Sequence, residues 1–399
     1  MAQIIFWTSI AVLIYTYFGY PILVFVSSRL FPKTVHRAEF EPNVTVLITA
    51  YNEERALSQK IENTLALDYP KEKLEILVAS DGSTDKTDEI VRSFASKGVK
   101  LFRQEGRVGK TLTQNAAVEK ANGEIIVFSD ATTMYRENVL RVLMPNFADK
   151  TVGCVAGKLI YVDPNKSSVG DGARSYWNYE TFIKTCESAT CSLIGVSGCL
   201  YALRKQNYVP MYAEACSDFL IASKIYEQGL RTIYEPQAVS IEETNDRADR
   251  EMRMRVRIIT QTLTDLWRHR HLLNPLRSGF YAVELFSHKI LRYSVPVFLI
   301  LTFVASCVLT FDSIFFAFVV ILQIAFYGCA LIAWKLEKTR FASKFLSLPL
   351  YFVLANFAAL MAFYEFARGN RFAAWQPIRE TSNPKSQASN QTSDAKSGV

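Results

Sequence analysis

The 399-residue sequence lacks the glycine patterns of two familiar nucleotide-binding loops. No G-x-G-x-x-G follows its first apolar strand. The segment Gly109-Lys110-Thr111 lacks the upstream glycine of a G-x-x-x-x-G-K-[ST] loop, because Gly106 is only three residues back. These absences argue against a dinucleotide oxidoreductase and a P-loop NTPase.

Histidine and cysteine are also sparse. There are four His and seven Cys, and the C-x4-C pair at 186–191 has neither the spacing nor the histidines of a zinc site. An odd number of cysteines without a paired framework indicates free thiols in a reducing compartment.

Apolar residues are concentrated at the two ends of the chain, and the middle is charged and mixed. Segment 4–26 is long enough to cross a bilayer, and no basic stretch precedes it and no small-x-small cleavage site follows it, which indicates an anchor. Arg29, Lys33 and Arg37 follow directly, so the positive-inside rule predicts a cytoplasmic domain after the anchor.

The net charge of +7 has three explanations. A basic chain can bind nucleic acid, but an anionic membrane surface and a phosphorylated substrate explain the charge equally well. We expect membrane lipids and a phosphorylated substrate as partners, and no nucleic acid.

The middle of the chain alternates strands and helices. Apolar strands at 44–48, 74–79, 99–102 and 125–128 are separated by helical patterns, which predicts parallel pairing with right-handed crossovers in an α/β sheet. Polar residues follow the first, second and fourth of these strands, so a single nucleotide-sized crevice is expected at their carboxyl ends. Asp130 follows the fourth strand, where a carboxylate can hold a divalent cation that bridges two phosphates; alternatively it begins a turn.

Further along, the patterns predict a strand at 152–162, a helix at 176–191 and a helix from Ser217 to about Gly229. Two short strands are predicted at 232–234 and 238–240. The basic amphipathic stretch 250–271 is typical of a helix in the membrane interface.

Four motifs occur in order: Thr49-Ala50-Tyr51-Asn52-Glu53-Glu54, Ser80-Asp81-Gly82-Ser83-Thr84-Asp85, Gly109-Lys110, and Asp130-Ala131-Thr132. Together they resemble glycosyltransferase family 2 over residues 44–260. The resemblance implies a Rossmann-like GT-A domain, inverting chemistry and a nucleotide-diphosphate sugar donor. With the flanking apolar segments, it is similar to the membrane-bound branch that makes cell-surface polysaccharides and glycolipids.

The resemblance assigns nucleotide-binding roles to Ala50, Tyr51, Glu53, Asp81 and Lys110, with Asp81 near the base and Glu53 near the ribose. It also implies a divalent cation, Mg²⁺ or Mn²⁺, ligated by Asp130 at a metal site that includes Thr132. The sequence departs from the family's D-x-D motif, because the second carboxylate position is Thr132.

Ser217-Asp218 occupies the place of the family's Glu-Asp pair, so the resemblance makes Asp218 the general base that deprotonates the acceptor hydroxyl. The alternative is a plain helix N-cap. Ser197, Gly198 and Cys199 would line the acceptor site, or form only a tight turn.

Segment 254–258, Met-Arg-Val-Arg-Ile, aligns with the Q-R-x-R-W motif of processive synthases but lacks its Gln and Trp. Arg255 and Arg257 would hold the departing diphosphate, since guanidinium matches phosphate geometry. Alternatively, these two arginines face anionic lipid headgroups and have no role at the diphosphate. Segment 375–379 loosely resembles the family's W-x-x-x-R element.

Three further apolar segments occur at 296–310, 314–334 and 346–366, with a basic loop at 335–344 between the last two. Asn356 and Glu365 weaken the third as a membrane span. The predicted organisation is an anchor at 1–30, a GT-A domain at 44–245, interface helices at 246–294, a transmembrane region at 295–368 and a disordered tail at 380–399.

The sequence therefore predicts a multi-pass protein of the inner (plasma) membrane with a cytoplasmic catalytic domain. It would transfer a sugar to a lipid-linked or growing saccharide acceptor. The alternatives are a nonprocessive transferase to a polyprenyl or other lipid carrier, and a noncatalytic membrane scaffold with a relict nucleotide pocket.

Overall fold

The computed structural model describes residues 1–162, 168–243, 248–336 and 344–372. The predicted tail 380–399, the segment 375–379 and most of the basic loop 335–344 lie outside these ranges.

One mixed sheet forms the centre of the molecule. Its strands are β1 Val44–Ala50, β2 Leu74–Ser80, β3 Val99–Arg103, β4 Ile125–Asp130, β5 Met134–Tyr135, β6 Val152–Val162, β7 Tyr201–Arg204 and β8 Arg231–Glu243. Their order is β3-β2-β1-β4-β7-β6-β8-β5. The first four strands in this order are parallel, and β7 pairs antiparallel with both β4 and β6.

The helices follow in chain order. They are α1 Ala2–Ile14, α2 Tyr20–Leu30, α3 Leu57–Leu65, α4 Thr87–Ser93, α5 Lys110–Lys120, α6 Val139–Leu143, α7 Ser168–Thr190, α8 Ser217–Glu227, α9 Ala248–Arg268, α10 Pro275–Leu285, α11 Arg292–Leu309, α12 Ile314–Leu336 and α13 Lys344–Ala367. Helices α1 and α2 continue through a π-helical turn, Tyr15–Gly19, as one apolar rod.

The unbroken apolar runs of the central strands arise because both faces of the sheet are covered. In β4, Ile125 and Val127 join the core on one face, while Ile126 and Phe128 join the core on the other. Strands buried on both faces read as continuous hydrophobic runs.

Some predicted elements differ from the structure in their bounds. The two short strands at 232–234 and 238–240 are a single strand, β8, whose pairing with β6 shifts register between Gly157 and Lys158. This bulge contains Pro236, which cannot donate a ladder hydrogen bond and interrupts the strand pattern in the sequence. Helix α7 begins at Ser168 and not near Tyr176, because Gly170 and Gly172 weaken the helical pattern of its first turns.

Among the described residues, four helices are long and apolar enough to cross a membrane: Ala2–Leu30, Pro275–Leu309, Ile314–Leu336 and Ser347–Ala367. The second of these begins at Pro275, well before the predicted start at 296. Asn356 of the fourth is buried, and its amide donates to the Phe352 carbonyl at 2.9 Å, so this polar group is satisfied within the helix.

Helix α9 packs mainly against helix α13. Its apolar residues Ile259 and Leu263 pack against Ala359 and Ala362 of α13. The sequence predicts a helix whose apolar face meets the membrane interface. The structure covers that face with another helix of the same chain.

Candidate functional site

The carboxyl ends of β1, β2 and β4 meet in one cleft. Thr49 is paired with Asp130 across the sheet, and Ala50 is paired with Ser80. The cleft is lined by Thr49, Ala50, Tyr51, Asp81, Lys110 and Asp130. The structure thus brings together the polar residues that the sequence places after three separate strands.

The loops after β1 and β2 hold each other in place. Asn52, which has a positive φ of 52°, accepts a hydrogen bond from the Thr84 backbone N–H at 2.7 Å. The backbone N–H of Glu53 donates to the Thr87 hydroxyl at 2.7 Å, and the Glu53 side chain is buried. Asparagine tolerates this left-handed conformation better than most residues.

Asp81 is buried and organises the loop that leads into α5. Its carboxylate accepts hydrogen bonds from the backbone N–H groups of Val108 (2.8 Å) and Gly109 (3.0 Å), and from the Thr113 hydroxyl (2.9 Å). A Cβ on Gly82 would lie 2.4 Å from the Gly106 carbonyl oxygen. The close approach of these two loops therefore requires glycine at position 82.

Arg107 contacts Tyr51, one of the residues that line the cleft. Its guanidinium carbon lies 4.1 Å from the ring centroid of Tyr51, a cation–π contact between the loop before α5 and the loop after β1. The motifs do not include Arg107, because its role depends on a contact between segments distant in sequence.

Lys110 lies between two carboxylates. Its ammonium is 2.5 Å from Asp130 Oδ1. A Cβ built on Gly198 would lie 2.9 Å from Asp218 Oδ2 and 3.1 Å from Lys110 Nζ, so Asp218 and Lys110 meet at this glycine, and Lys110 links Asp218 to Asp130. Burial alone would lower the pKa of Lys110, but Asp130 and Asp218 raise it, and the lysine stays charged.

Asp218 points into the cleft from the first turn of α8. The N-cap position belongs to Cys216, and within the described residues no side chain caps this helix end. The Ser217 hydroxyl donates to Asp218 Oδ1 at 3.1 Å, and the Asp218 carbonyl accepts from the Val196 N–H at 2.8 Å. The N-cap interpretation of Asp218 is therefore wrong.

Glu242, near the end of β8, lies beside Thr132. The Thr132 hydroxyl donates to Glu242 Oε1 at 3.1 Å, and the Cys199 thiol donates to Oε2 at 2.9 Å. Burial raises the pKa of Glu242, and the nearby Asp130 raises it further. A carboxylate from a residue 110 positions along the chain therefore lies beside Thr132.

The acceptor candidates follow one another in the loop before β7. Ser197 is buried, and its carbonyl accepts from the Leu200 N–H at 3.2 Å. The Cys199 carbonyl accepts from the Tyr135 hydroxyl at 2.8 Å. These bonds form a tight turn, and that turn places Gly198 against Asp218.

The two arginines of segment 254–258 face different surroundings. Arg255 donates to Glu251 Oε1 at 2.9 Å and to the Tyr351 hydroxyl, and its guanidinium lies 4.9 Å from the Tyr176 ring centroid. Arg257 has no hydrogen bond or ion pair within the described ranges, and Asp218 and Asp130 act on it electrostatically.

Residues two apart on a helix point in opposite directions, so α9 cannot present both guanidinium groups to one ligand. Burial lowers the pKa of Arg257, and the cleft carboxylates oppose this change. The structure places Arg257 toward the cleft and Arg255 in a separate polar cluster.

Lys60 of α3 is a further buried cation that the motifs do not indicate. It is fully buried, its ammonium is 3.5 Å from the Tyr135 ring centroid, and no hydrogen-bond partner exists for it in the described chain. Burial lowers its pKa to about 7, although Asp130, Cys199 and Glu242 oppose the shift. In the sequence this lysine belongs to an ordinary amphipathic helix.

Comparisons with known proteins agree with this architecture. Residues 45–208 match the family model described as Glycosyl transferase family 2. The Probable glycosyltransferase YdaM of Bacillus subtilis is 32% identical over 145 residues, which cover 35% of this chain and 34% of that protein. The poly-beta-1,6-N-acetyl-D-glucosamine synthase of Staphylococcus aureus is 27% identical over 239 residues, which cover 57% and 52%. The alignments thus span about half or less of the length of these relatives.

Among solved structures, the mannosyltransferase PcManGT from Pyrobaculum calidifontis, in complex with GDP-Man and Mn²⁺, has a TM-score of 0.68 and 23% identity. The alignment covers 92% of this chain and 99% of that one. This likeness shows the fold. It confirms the predicted combination of a Rossmann-like GT-A domain with long apolar helices.

Proposed function

We propose that this glycosyltransferase family 2 protein is an inverting enzyme of the inner membrane, with its catalytic domain in the cytoplasm. It moves a sugar from a nucleotide-diphosphate donor to a lipid-linked or growing saccharide acceptor. The observation that carries the proposal is the convergence of Asp218, Lys110 and Asp130 at the carboxyl end of one sheet.

Asp218 acts as the general base. Its carboxylate takes the proton of the acceptor hydroxyl as that oxygen attacks the anomeric carbon, on the side opposite the leaving nucleoside diphosphate. The Ser217 hydroxyl orients the carboxylate through its 3.1 Å hydrogen bond. Gly198 leaves room beside Asp218 for the acceptor, because any side chain there would meet the carboxylate at 2.9 Å.

The donor occupies the cleft between β1, β2 and α5. Ala50, Tyr51, Glu53 and Asp81 bind the nucleoside, and Arg107 stacked on Tyr51 supports that wall of the cleft. Lys110 and Arg257 supply positive charge for the diphosphate, and Arg257 is suited to it because no group in the described part of the chain forms an ion pair or hydrogen bond with it.

Asp130 and Glu242 would hold a divalent cation, Mg²⁺ or Mn²⁺, with the Thr132 hydroxyl beside them. Two carboxylates and a hydroxyl fit a hard cation that prefers oxygen ligands. When bound, the cation would offset the charge of the diphosphate leaving group. Glu242 restores the acidic pair that Thr132 removes from the motif.

The membrane arrangement follows from the four candidate spans. Arg29 and Lys33 flank the end of the first span, which favours a cytoplasmic domain under the positive-inside rule. In this arrangement Ser197, Gly198 and Cys199 receive an acceptor that approaches from the membrane side.

A second candidate function, transfer to a phosphate-bearing lipid carrier, is favoured by two lysines, Lys289 in the second candidate span and Lys184 in α7. Lys289 Nζ is 5.7 Å from the ring centroid of Phe219, the residue after Asp218, and Lys184 Nζ is 4.9 Å from the Trp177 ring centroid. No carboxylate in the described ranges forms an ion pair with either ammonium. Glu180 acts on both ammonium groups electrostatically but pairs directly with neither, so two positive charges at this place would suit an anionic lipid headgroup.

The lipid-carrier function is tested with Lys289→Met in the full chain. We expect the KM for a polyprenyl phosphate acceptor to rise about tenfold to a hundredfold, because a charged hydrogen bond is worth roughly 1.5–3 kcal/mol, while the KM for the donor stays unchanged. An unchanged acceptor KM would contradict the lipid-carrier function and leave a saccharide as the proposed acceptor.

The enzyme proposal is tested with the full chain in detergent, with GDP- and UDP-sugars and Mn²⁺ or Mg²⁺. We expect turnover with at least one donor and inversion at the anomeric carbon, observed by NMR of the product. Asp218→Asn should lower kcat about 10²- to 10⁴-fold, the usual contribution of a general base, without loss of donor binding. Asp68→Asn, at an exposed carboxylate outside the cleft, is the matched control.

The same experiment separates the enzyme from the membrane scaffold. A scaffold would show no turnover with any donor, and Asp218→Asn would retain all cellular function.

A further inference from the structure

A second cluster of side chains with metal-binding chemistry lies away from the cleft. It consists of Glu227, the last residue of α8, with His269 and His271 from the turn that follows α9. Glu227 Oε1 is 3.1 Å from His269 Nδ1 and 2.8 Å from His271 Nε2. The proposed donor site uses none of these three residues.

We propose that Glu227, His269 and His271 form a binding site for a transition-metal ion such as Zn²⁺. The three ligand atoms all lie within 4.8 Å of one another. With Zn–N and Zn–O bonds of about 2.0–2.1 Å, neighbouring ligands of a tetrahedral ion are about 3.3 Å apart. The two distances to Oε1 are only a few tenths of an ångström shorter, so small outward movements would admit the ion.

The chemical types of the three ligands determine which metal ion the site prefers. Two imidazoles and one carboxylate suit Zn²⁺, Ni²⁺ or Cu²⁺, whereas Mg²⁺ and Mn²⁺ prefer sites made of oxygen. Lys224 holds the other carboxylate oxygen, Oε2, at 2.9 Å. Glu227 would therefore bind through Oε1 alone, and water would complete the coordination shell.

The position of the cluster gives the ion a structural role. Helix α8 carries Asp218 at its start and Glu227 at its end, and α9 carries Arg257 and leads directly to His269. An ion at this cluster would tie the far end of α8 to the turn after α9. It would thus join the two helices that present the proposed base and the proposed diphosphate ligand to the cleft.

The neighbouring backbone keeps the turn well defined. The His269 N–H donates to the Asp265 carbonyl at 2.8 Å, and the Asn274 side chain caps α10 by accepting from the Leu276 N–H at 3.0 Å. Both imidazoles are thus attached to an ordered segment, which lowers the entropy cost of bringing them to one ion.

The test measures Zn²⁺ binding to the full chain in detergent, carrying a tag without histidine and stripped with EDTA. Equilibrium dialysis should find one Zn²⁺ bound through this site, and Co²⁺ should give the intense visible absorption of a tetrahedral ion. His269→Ala and His271→Ala should each weaken this binding by more than about tenfold, since even the outer partners of metal ligands contribute 10- to 100-fold.

Two controls isolate the site. His36→Ala removes an exposed histidine elsewhere and should leave the binding unchanged. Asp130→Asn removes a ligand of the proposed donor cation and should also leave it unchanged, so failure of the donor site and failure of this one are distinguishable. Zn²⁺ should raise the melting temperature of wild type and of both controls, but not of the two histidine variants.

Equal Zn²⁺ binding by wild type and both histidine variants would overturn the proposal, as would the absence of binding to wild type. If His269→Ala or His271→Ala melts far below wild type without metal, Glu227→Gln is used in its place. The Gln amide is isosteric with the carboxyl group, and both imidazoles remain. Retained Zn²⁺ affinity in that variant would likewise contradict the site.

Discussion

Charge balance around Asp130 is set by residues from four parts of the chain. Lys110 pairs with it directly, Glu242 adds a second negative charge, and Lys60 and Arg257 act on the same group from α3 and α9. Each of these groups changes how strongly the others hold a proton or an ion. The proposed cation therefore depends on the whole set of charges.

Lys60 gives a prediction on stability and pH. Its pKa is about 7 in the folded chain, against 10.5 for the ordinary side chain, so the unfolded chain binds the extra proton between these values. Stability should therefore rise as the pH rises from about 7 toward 10. Lys60→Met should stabilise the protein more at pH 6 than at pH 10, as measured by denaturant unfolding at both values. A gain that is equal at both pH values would contradict the assignment.

Glu242 gives a prediction on metal affinity. Glu242→Gln should weaken Mn²⁺ binding, observed by electron paramagnetic resonance of free Mn²⁺, by about tenfold or more, because one of two carboxylates is lost. Adding Thr132→Asp to this variant should restore much of the affinity. Glu243→Gln, at the exposed neighbour, is the control and should bind like wild type. If Glu242→Gln and Glu243→Gln bind Mn²⁺ equally, Glu242 is not a ligand.

At the level of single elements, helix α9 presents Arg255 and Arg257 to different surroundings. Arg257 faces the cleft, whereas Arg255 joins Glu251 and Tyr351 in a contact between α9 and α13. This division follows from helix geometry, because side chains two residues apart lie on opposite faces.

The arginines provide a matched pair of variants. Arg257→Ala should raise the donor KM about tenfold to a hundredfold, since a hydrogen bond between charged groups is worth roughly 1.5–3 kcal/mol, with little change in melting temperature. Arg255→Ala should lower the melting temperature and leave the donor KM unchanged, because it leaves the buried Glu251 without this partner. Donor kinetics and thermal melts of both variants check the assignment. A raised donor KM in Arg255→Ala, with an unchanged donor KM in Arg257→Ala, would instead make Arg255 the diphosphate ligand.

At the scale of the whole molecule, the sequence predicts the parallel half of the sheet well. Strands β1, β2, β3 and β4 have strong apolar runs, and their polar ends fall where parallel pairing places them. The antiparallel strand β7 and the long strand β8 are less visible, because β7 is only four residues long and Pro236 divides β8.

The residues of the cleft that the sequence does not reveal have a common feature. Glu242, Arg107 and Lys60 reach the cleft through contacts with segments distant in sequence, so no local spacing marks them. The four candidate membrane helices are the opposite case, because length and apolar content alone identify them. Local pattern therefore determines the elements, while packing determines which polar groups share the cleft.

The central claim is that a single cleft holds the nucleotide sugar between β1, β2, α5 and Asp218. The most direct test is an experimental structure of the full chain in detergent with Mn²⁺ and the intact donor bound to Asp218→Asn. We expect the nucleoside beside Tyr51 and Asp81, the diphosphate between Asp130 and Arg257, and the anomeric carbon facing residue 218. A donor bound elsewhere, or with its anomeric carbon turned away from residue 218, would contradict this claim.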